Sequence, residues 1–158
     1  MKMTLDASSP REGSPDPEAR RTADVVAFAG SRAGFERALG GFRAILDRHA
    51  LEPRTRYRCE LVFEEIVSNI IRHGCADDQE HHISVTVAVI GDRVTLHFED
   101  DGVAFDPRQS VPARESVGSD SGGRGLALVR SVSERIDYER TPNHENHLDV
   151  TIAAGPNR

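Results

Sequence analysis

The spacing of apolar residues predicts a strand, two long helices, a hairpin, and a third helix followed by two strands. Residues 24–30 combine β-branched and aromatic side chains before a glycine, which is typical of a first strand. A helix follows from a cap at Ser31 to about His49, and a second runs from a cap at Thr55 to Gly74, a typical residue just past a helix end.

Strict alternation predicts two further strands at residues 82–90 and 93–99, joined by a Gly91-Asp92 turn. Their apolar side chains share one face, which should cover a helical layer while the other face meets water. A third helix is predicted from about Gly125, a strand from Tyr138, and a last strand over residues 147–153 after a turn at 143–146.

The second helix carries polar residues among apolar neighbours. Leu61, Glu65, Asn69 and His73 are spaced four apart, so they should stack along one stripe. A carboxylate and a carboxamide one turn apart could hold a hydrated cation and deprotonate a water or hydroxyl. A solvated stripe between two core ridges fits the same residues equally well, so both interpretations stay open.

Composition narrows the class of protein. The chain has 158 residues, 37% of them apolar and 29% charged, which is enough for one real core. Residues 1–22 contain Pro10, Pro15 and Pro17 with almost nothing to bury, so we expect a disordered tail before one domain at 23–158. A net charge of -6 argues against a general nucleic-acid binder. We see no bilayer-spanning run or signal peptide, and therefore expect a cytoplasmic protein without membrane association.

Cysteine and histidine usage gives no metal motif. Cys59 and Cys75 lack a close metal spacing, and a disulfide scaffold is not expected. Of seven histidines, only His81 and His82 are adjacent, and neighbours in a strand point to opposite faces. The sequence therefore does not predict a catalytic zinc site.

Two loops carry further candidate chemistry. Asp100 ends a strand two residues before Gly102; its carboxylate would suit the exocyclic amine of adenine, and the glycine would let the backbone approach a base. Residue chemistry alone favours a simple β-turn there. Gly122, Gly123 and Gly125 precede a helix, where free N–H groups suit phosphates, although a flexible hinge would use the same residues.

Three motifs then occur in a fixed order. The first is Glu65 and Asn69 with His73 and Gly74, the second Asp100 and Gly102 with Phe105, Asp106 and Pro107, and the third Gly123, Arg124, Gly125 and Leu126. Together they resemble the ATP-binding fold shared by gyrase and the histidine kinases, and within it the bacterial anti-sigma-factor serine/threonine kinases. The resemblance covers about residues 23–154. It implies a Bergerat-type α+β two-layer sandwich, with a mixed, mostly antiparallel sheet covered on one face by about three helices.

The resemblance also implies ATP and Mg²⁺ as cofactors. Asn69 would bind Mg²⁺, Glu65 would be the general base, Asp100 would read adenine, and Gly102 would let the base approach. The remaining nucleotide-binding positions implied by the motifs are His73, Phe105, Gly122, Gly123, Arg124, Gly125 and Leu126, beneath a lid at about 108–122.

Two positions leave questions within the resemblance. Either Arg114 or Arg124 could reach the γ-phosphate. Ala104 stands where many relatives have glycine or proline, and is tolerable if its φ is not positive.

The resemblance implies a homodimeric kinase that works by partner switching. It would hold a sigma factor or another output protein and phosphorylate a small antagonist protein. A non-catalytic ATP-binding module that acts by stoichiometric association is the alternative, and Glu65 favours the kinase because such a module needs no base there. An unrelated α/β binding domain does not account for three ordered motifs.

Overall fold

The structure, a computed structural model, describes residues 24–109 and 122–155. Its helices are α1 (Arg32–Arg48), α2 (Pro53–Asn69) and α3 (Gly122–Val132), and a single π-helical turn, Ile70–Gly74, continues α2. Its strands are β1 (Asp24–Ala29), β2 (His82–Ile90), β3 (Arg93–Asp100), β4 (Arg135–Arg140) and β5 (Asn146–Ala153). The tail predicted at 1–22 lies outside the described residues.

The strands form one sheet in the order β1-β2-β3-β5-β4, and every pairing in the described chain is antiparallel. The helices pack on one face of this sheet, so the predicted α+β two-layer sandwich is confirmed. No helix in the described ranges is both long and apolar enough to cross a bilayer.

The core lies between the sheet and the helices. Phe42 of α1 and Phe63 of α2 stack with ring centroids 4.3 Å apart, and both are fully buried. The hairpin contributes the alternating residues predicted from the sequence, which are Ile83, Val85, Val87, Val94, Leu96 and Phe98. Strand β5 adds Leu148, Val150 and Ile152. Burying these apolar side chains is the main favourable term that holds the layers together.

Two local signals in the sequence were read correctly. Ser31 caps α1, because its Oγ accepts a hydrogen bond from the Gly34 N–H at 3.1 Å. Gly91 has a φ of 58° in the hairpin turn, a left-handed conformation that glycine adopts without strain.

Three element boundaries were predicted wrongly. The helix α2 begins at Pro53, whose fixed φ suits a first helical position. Thr55 therefore does not cap the helix. It is buried, and its Oγ1 accepts a hydrogen bond from the Gly155 N–H at 3.3 Å. The helix α3 begins at Gly122 rather than near Gly125, and β4 begins at Arg135, before Tyr138. The first residues of α3 are two glycines and Arg124, which carry no apolar periodicity.

His81 provides a pH-dependent contribution to stability. It is 8% exposed, and its Nδ1 and Nε2 lie 3.0 Å from Asp101 Oδ1 and 2.5 Å from Asp77 Oδ1. These two carboxylates raise the pKa of His81, and the hydrogen bond with Asp77 has the larger effect. The stabilisation is therefore complete below the unfolded pKa, about 6.5, and is lost as pH rises through the higher folded pKa.

We expect His81→Gln to cost more unfolding free energy at roughly pH 6 than at roughly pH 9. Urea denaturation of wild type and variant at both values measures this. An equal cost at both values would contradict an imidazolium held by the two carboxylates.

Candidate functional site

The last turns of α2 carry Glu65 and Asn69. Asn69 is only 5% exposed and lines a narrow pocket between α2 and the ends of β3, β4 and β5. Its side-chain amide makes no hydrogen bond to any other residue of the described chain. No side-chain nitrogen or oxygen of the described residues is both fully buried and unpartnered, so the Asn69 amide is open to the pocket and available to a ligand there.

The π-helical turn changes the predicted stripe after Asn69. Its wider ladder alters the four-residue spacing, so His73 is exposed and does not line the pocket. The His73 ring instead stacks on Phe105, with ring centroids 5.5 Å apart and planes 22° from parallel. Phe105 does line the pocket, so His73 supports that wall from outside.

Asp100 lines the same pocket. It is 7% exposed, and its Oδ1 accepts hydrogen bonds of 2.9 Å from the Gly102 N–H and from Asn146 Nδ2. Its other oxygen has no hydrogen-bond partner among the described residues. Burial raises the pKa of Asp100, and the hydrogen bonds from Asn146 and Gly102 partly offset this. The Asp100 side chain is thus held in place, and its second carboxylate oxygen can accept a hydrogen bond from a ligand.

Asn146 is a site residue that sequence reasoning missed. It was assigned to a turn, but it begins β5 and pairs with Asp100 across the sheet. Its Nδ2 also donates to the Val103 carbonyl at 3.1 Å, and its Oδ1 accepts from the Tyr138 hydroxyl at 2.7 Å and Arg140 Nη1 at 3.0 Å. The signal was available, because alternation along β5 places Asn146 on the same inward face as Leu148.

Gly102 makes a close backbone contact that its predicted role did not include. A Cβ added there would lie 2.6 Å from the Gly74 carbonyl oxygen and 2.9 Å from the Gly74 carbonyl carbon. The neighbouring Val103 N–H donates to the same oxygen at 3.1 Å. Gly102 therefore joins the loop after β3 to the end of the π-helical turn. The helical segment ends at Gly74, as predicted, although Gly74 is its last residue and does not have the positive φ typical of a residue just past a helix end.

We expect Gly102→Ala to lower the free energy of unfolding by about 1–3 kcal/mol, because the methyl group meets backbone that must move. Gly74→Ala is the matched control, since a Cβ there lies 3.7 Å from its nearest neighbours. Urea denaturation of both variants measures the difference. Equal stability of the two variants would contradict the close contact.

The start of α3 meets α2 at Glu65. Gly123, Arg124 and Gly125 lie in the first turn of α3, where backbone N–H groups have no intrahelical partner and favour anions. A Cβ on Gly125 would overlap the Glu65 carboxylate, so the absence of a side chain leaves room for Glu65. Arg124 is exposed. Leu126 is 3% exposed in the core, so its side chain anchors the helix.

Of the predicted site residues, the structure brings Asn69, Asp100 and Phe105 together in one pocket. The pocket is lined by Ile66, Asn69, Ile70, Gly74, Asp100, Val103, Phe105, Pro107, Tyr138, Asn146 and Leu148. Glu65 and Gly125 do not line it and contact each other beside it. Arg130 Nη2 donates to the Pro107 carbonyl at 2.6 Å, which ties α3 to the pocket wall.

Three further features can be placed. Glu64, the residue before Glu65, points to Arg43, with 3.6 Å between its Oε1 and the guanidinium. Ala104 does not have a positive φ, so its methyl group is tolerated. Residues 110–121, with most of the predicted lid and Arg114, lie outside the described residues.

Comparisons with known proteins identify the family and several relatives of this chain. Residues 30–152 match the family model of the histidine kinase-like ATPase domain. The serine/threonine-protein kinase BtrW of Bordetella bronchiseptica is 31% identical over 106 residues, which cover 65% of this chain and 74% of BtrW. The sensor histidine kinase ComP of Bacillus subtilis is 29% identical over 91 residues, 58% of this chain but 11% of ComP.

Among solved structures, the histidine kinase AdeS of Acinetobacter baumannii aligns with a TM-score of 0.42 at 20% identity, covering 84% of this chain and 68% of that one. Family membership depends on the family model, which spans most of the chain, and on the similarity to BtrW. The chain belongs to the family of histidine kinase-like ATPase domains.

Proposed function

We propose that this protein is an ATP-dependent serine/threonine protein kinase that phosphorylates an antagonist protein in a partner-switching system. The observation that carries the proposal is the contact between the Glu65 carboxylate and Gly125. Gly125 lies in the N-terminal turn of α3, and Glu65 lies one turn before Asn69 on α2. A candidate base, a candidate metal ligand and a candidate phosphate site are thereby adjacent. The similarity to BtrW, named as a serine/threonine-protein kinase, supports the same conclusion.

The pocket would hold adenine through Asp100. Its unpartnered carboxylate oxygen would accept a hydrogen bond from the exocyclic amine, and Asn146 and Gly102 hold the other oxygen in place. Guanine presents an acceptor at the equivalent position and would leave the carboxylate unpaired in a buried site, which is strongly unfavourable. Phe105 and Val103 supply apolar pocket walls suited to the base.

The phosphates would lie between the pocket and α3. The N–H groups of Gly123 and Gly125, in the first turn of α3, provide donors for phosphate oxygens. The buried Asn69 amide offers an oxygen of the kind that Mg²⁺ accepts, and such Mg²⁺ sites commonly use one or two protein groups together with phosphates and water. When bound, Mg²⁺ neutralises charge on the phosphates.

Glu65 is positioned to act as the general base. The side chain is half-buried, and it forms no ion pair with a described residue. It would accept the proton of a serine or threonine hydroxyl as that oxygen bonds to the γ-phosphorus and ADP leaves. Little other covalent chemistry is required, because positioning and charge neutralisation account for most of phosphoryl transfer.

The partners follow from the same proposal. The phosphorylated protein would be a small antagonist, and its phosphorylation would stop it from binding the kinase. The kinase would then hold a sigma factor or another output protein. We place this homodimeric kinase in the cytoplasm.

The test is phosphoryl transfer from γ-labelled ATP, with Mg²⁺, to a candidate antagonist protein. We expect acid-stable label on serine or threonine of the antagonist, and none when Mg²⁺ is removed. ATP binding without any transfer would contradict the kinase and favour a regulatory module that acts by stoichiometric binding.

A further inference from the structure

Four ionisable side chains form a cluster on the face of the sheet that the helices do not cover. His97 and Glu99 lie on β3, and their cross-strand partners on β5 are Asp149 and His147. Their strand neighbours, such as Phe98 and Leu148, are buried in the core. Side chains alternate along a strand, so the cluster points to the opposite face from Asp100. We call these four residues the outer-face cluster.

Three of these residues have the arrangement of a metal-binding triad. One ligand atom from each of His97, Glu99 and His147 lies within 4.8 Å of the other two. Glu99 Oε1 is 2.8 Å from His97 Nε2 and 3.9 Å from His147 Nε2. The imidazole rings meet edge to face, with centroids 5.4 Å apart. Small adjustments of side chains would therefore place all three atoms around one ion.

Neighbouring groups already orient these ligands. Asp149 Oδ1 lies 2.6 Å from His97 Nδ1, which leaves Nε2 directed at Glu99. Ser84 Oγ donates to the second oxygen of Glu99 at 3.3 Å. A carboxylate on the far nitrogen of a ligating histidine is the usual support in metal sites, because it fixes both the tautomer and the ring orientation. His97 is 7% exposed on a face where water was expected, so its ring is held in place.

The balance of charge also favours a cation. Glu145 Oε2 lies 3.6 Å from His147 Nε2, so three carboxylates surround two imidazoles. A divalent ion between His97 and Glu99 would compensate this negative charge and engage His147, whose contacts with the Glu99 and Glu145 carboxylates are otherwise long.

We propose that the outer-face cluster binds one Zn²⁺ through His97 Nε2, Glu99 and His147 Nε2, with Asp149 as the residue that orients His97. Two imidazoles and a carboxylate form a common three-ligand zinc set, in which the fourth position stays open. A groove lined by His82, Ser84, Asp101 and Glu145 begins at Glu99, so the open position would face solvent or a partner side chain there. None of the four cluster residues lines the nucleotide pocket, although Asp100 borders both that pocket and this groove. The proposal does not depend on the proposed kinase activity.

The test is calorimetric titration of Zn²⁺ into the whole chain without nucleotide or Mg²⁺, with Co²⁺ absorption as a second readout of ligand geometry. We expect one equivalent to bind, with at least about tenfold weaker affinity in Glu99→Gln and in His147→Gln. Asp149→Asn should weaken binding by about 10- to 100-fold while leaving the Co²⁺ coordination number unchanged. Circular dichroism confirms that each variant is folded before it is titrated.

The matched control is His144→Asn. His144 is exposed near His147 but has a φ of 63°, a conformation that asparagine tolerates, and it is not part of the cluster. Its replacement should leave Zn²⁺ affinity unchanged. The proposal is overturned if wild type binds no Zn²⁺ at micromolar concentrations, or if Glu99→Gln and His147→Gln bind it as tightly as His144→Asn.

Discussion

Glu65→Gln is expected to lower the rate of phosphoryl transfer by about 10²- to 10⁴-fold while leaving ATP affinity within about twofold. The amide matches the carboxylate in shape, so the contact with Gly125 can persist. It cannot accept the proton of the attacking hydroxyl. Single-turnover transfer to the antagonist measures the rate, and calorimetry measures the affinity.

Glu64→Gln is the control for this experiment. Glu64 is the adjacent residue, but it points to Arg43 on α1, so its replacement should leave the transfer rate unchanged. An unchanged rate in Glu65→Gln would exclude Glu65 as the base. Equal losses in both variants would indicate a general effect of charge on α2.

Asp100→Asn is expected to weaken ATP binding by about 100-fold or more, because an amide N–H₂ would face the exocyclic amine of adenine. The amide oxygen can still accept from the Gly102 N–H and from Asn146, so the pocket keeps its shape. Calorimetric titration with ATP and Mg²⁺ measures the loss.

The free energy of unfolding of Asp100→Asn distinguishes a loss of ATP binding from a loss of folding. Burial raises the pKa of Asp100, so its contribution to stability is greatest below the unfolded pKa, about 3.9, and falls as pH rises through the higher folded value. A neutral amide should therefore not destabilise the protein at about pH 7.

Asp101→Asn is the matched control for Asp100→Asn. Asp101 is the next residue, but it contacts His81 instead of the pocket. We expect it to change stability and leave ATP affinity unchanged. ATP affinity that survives in Asp100→Asn, or is lost equally in Asp101→Asn, would contradict the role of Asp100.

Local patterns were sufficient to predict the elements of this fold. The alternation in residues 82–99 predicted both strands and the inward face, and the Gly91-Asp92 pair predicted the turn. The cap at Ser31 and the apolar spacing after it predicted α1. Each of these signals involves only residues close together along the chain, so it can be recognised in a single sequence.

Long-range contacts could not be read in the same way. Asn146 reaches Asp100 only because β3 and β5 pair in one register, 46 residues apart along the chain. The same pairing assembles the outer-face cluster, although the histidine spacing gave no metal motif. The candidate site was therefore predicted as three separate motifs, while the residues that connect them required the structure.

The π-helical turn after Asn69 was not predicted, for a different reason. Residues 70–74 continue the apolar periodicity of α2, so spacing alone predicts an unbroken α-helix through His73. Gly74, the last residue of this turn, packs against Gly102, which is 28 residues away along the chain. Packing of this kind overrides local preference and leaves no local signal.

The central claim is that the pocket beside Asn69 and Asp100 takes ATP. Calorimetric titration of the wild-type protein with ATP and with GTP, each with Mg²⁺, tests it most directly. The account predicts that ATP binds with one-to-one stoichiometry and that GTP binds at least about 100-fold more weakly, because its base offers an acceptor to the Asp100 carboxylate. Absence of ATP binding, or equal affinity for the two nucleotides, would contradict it.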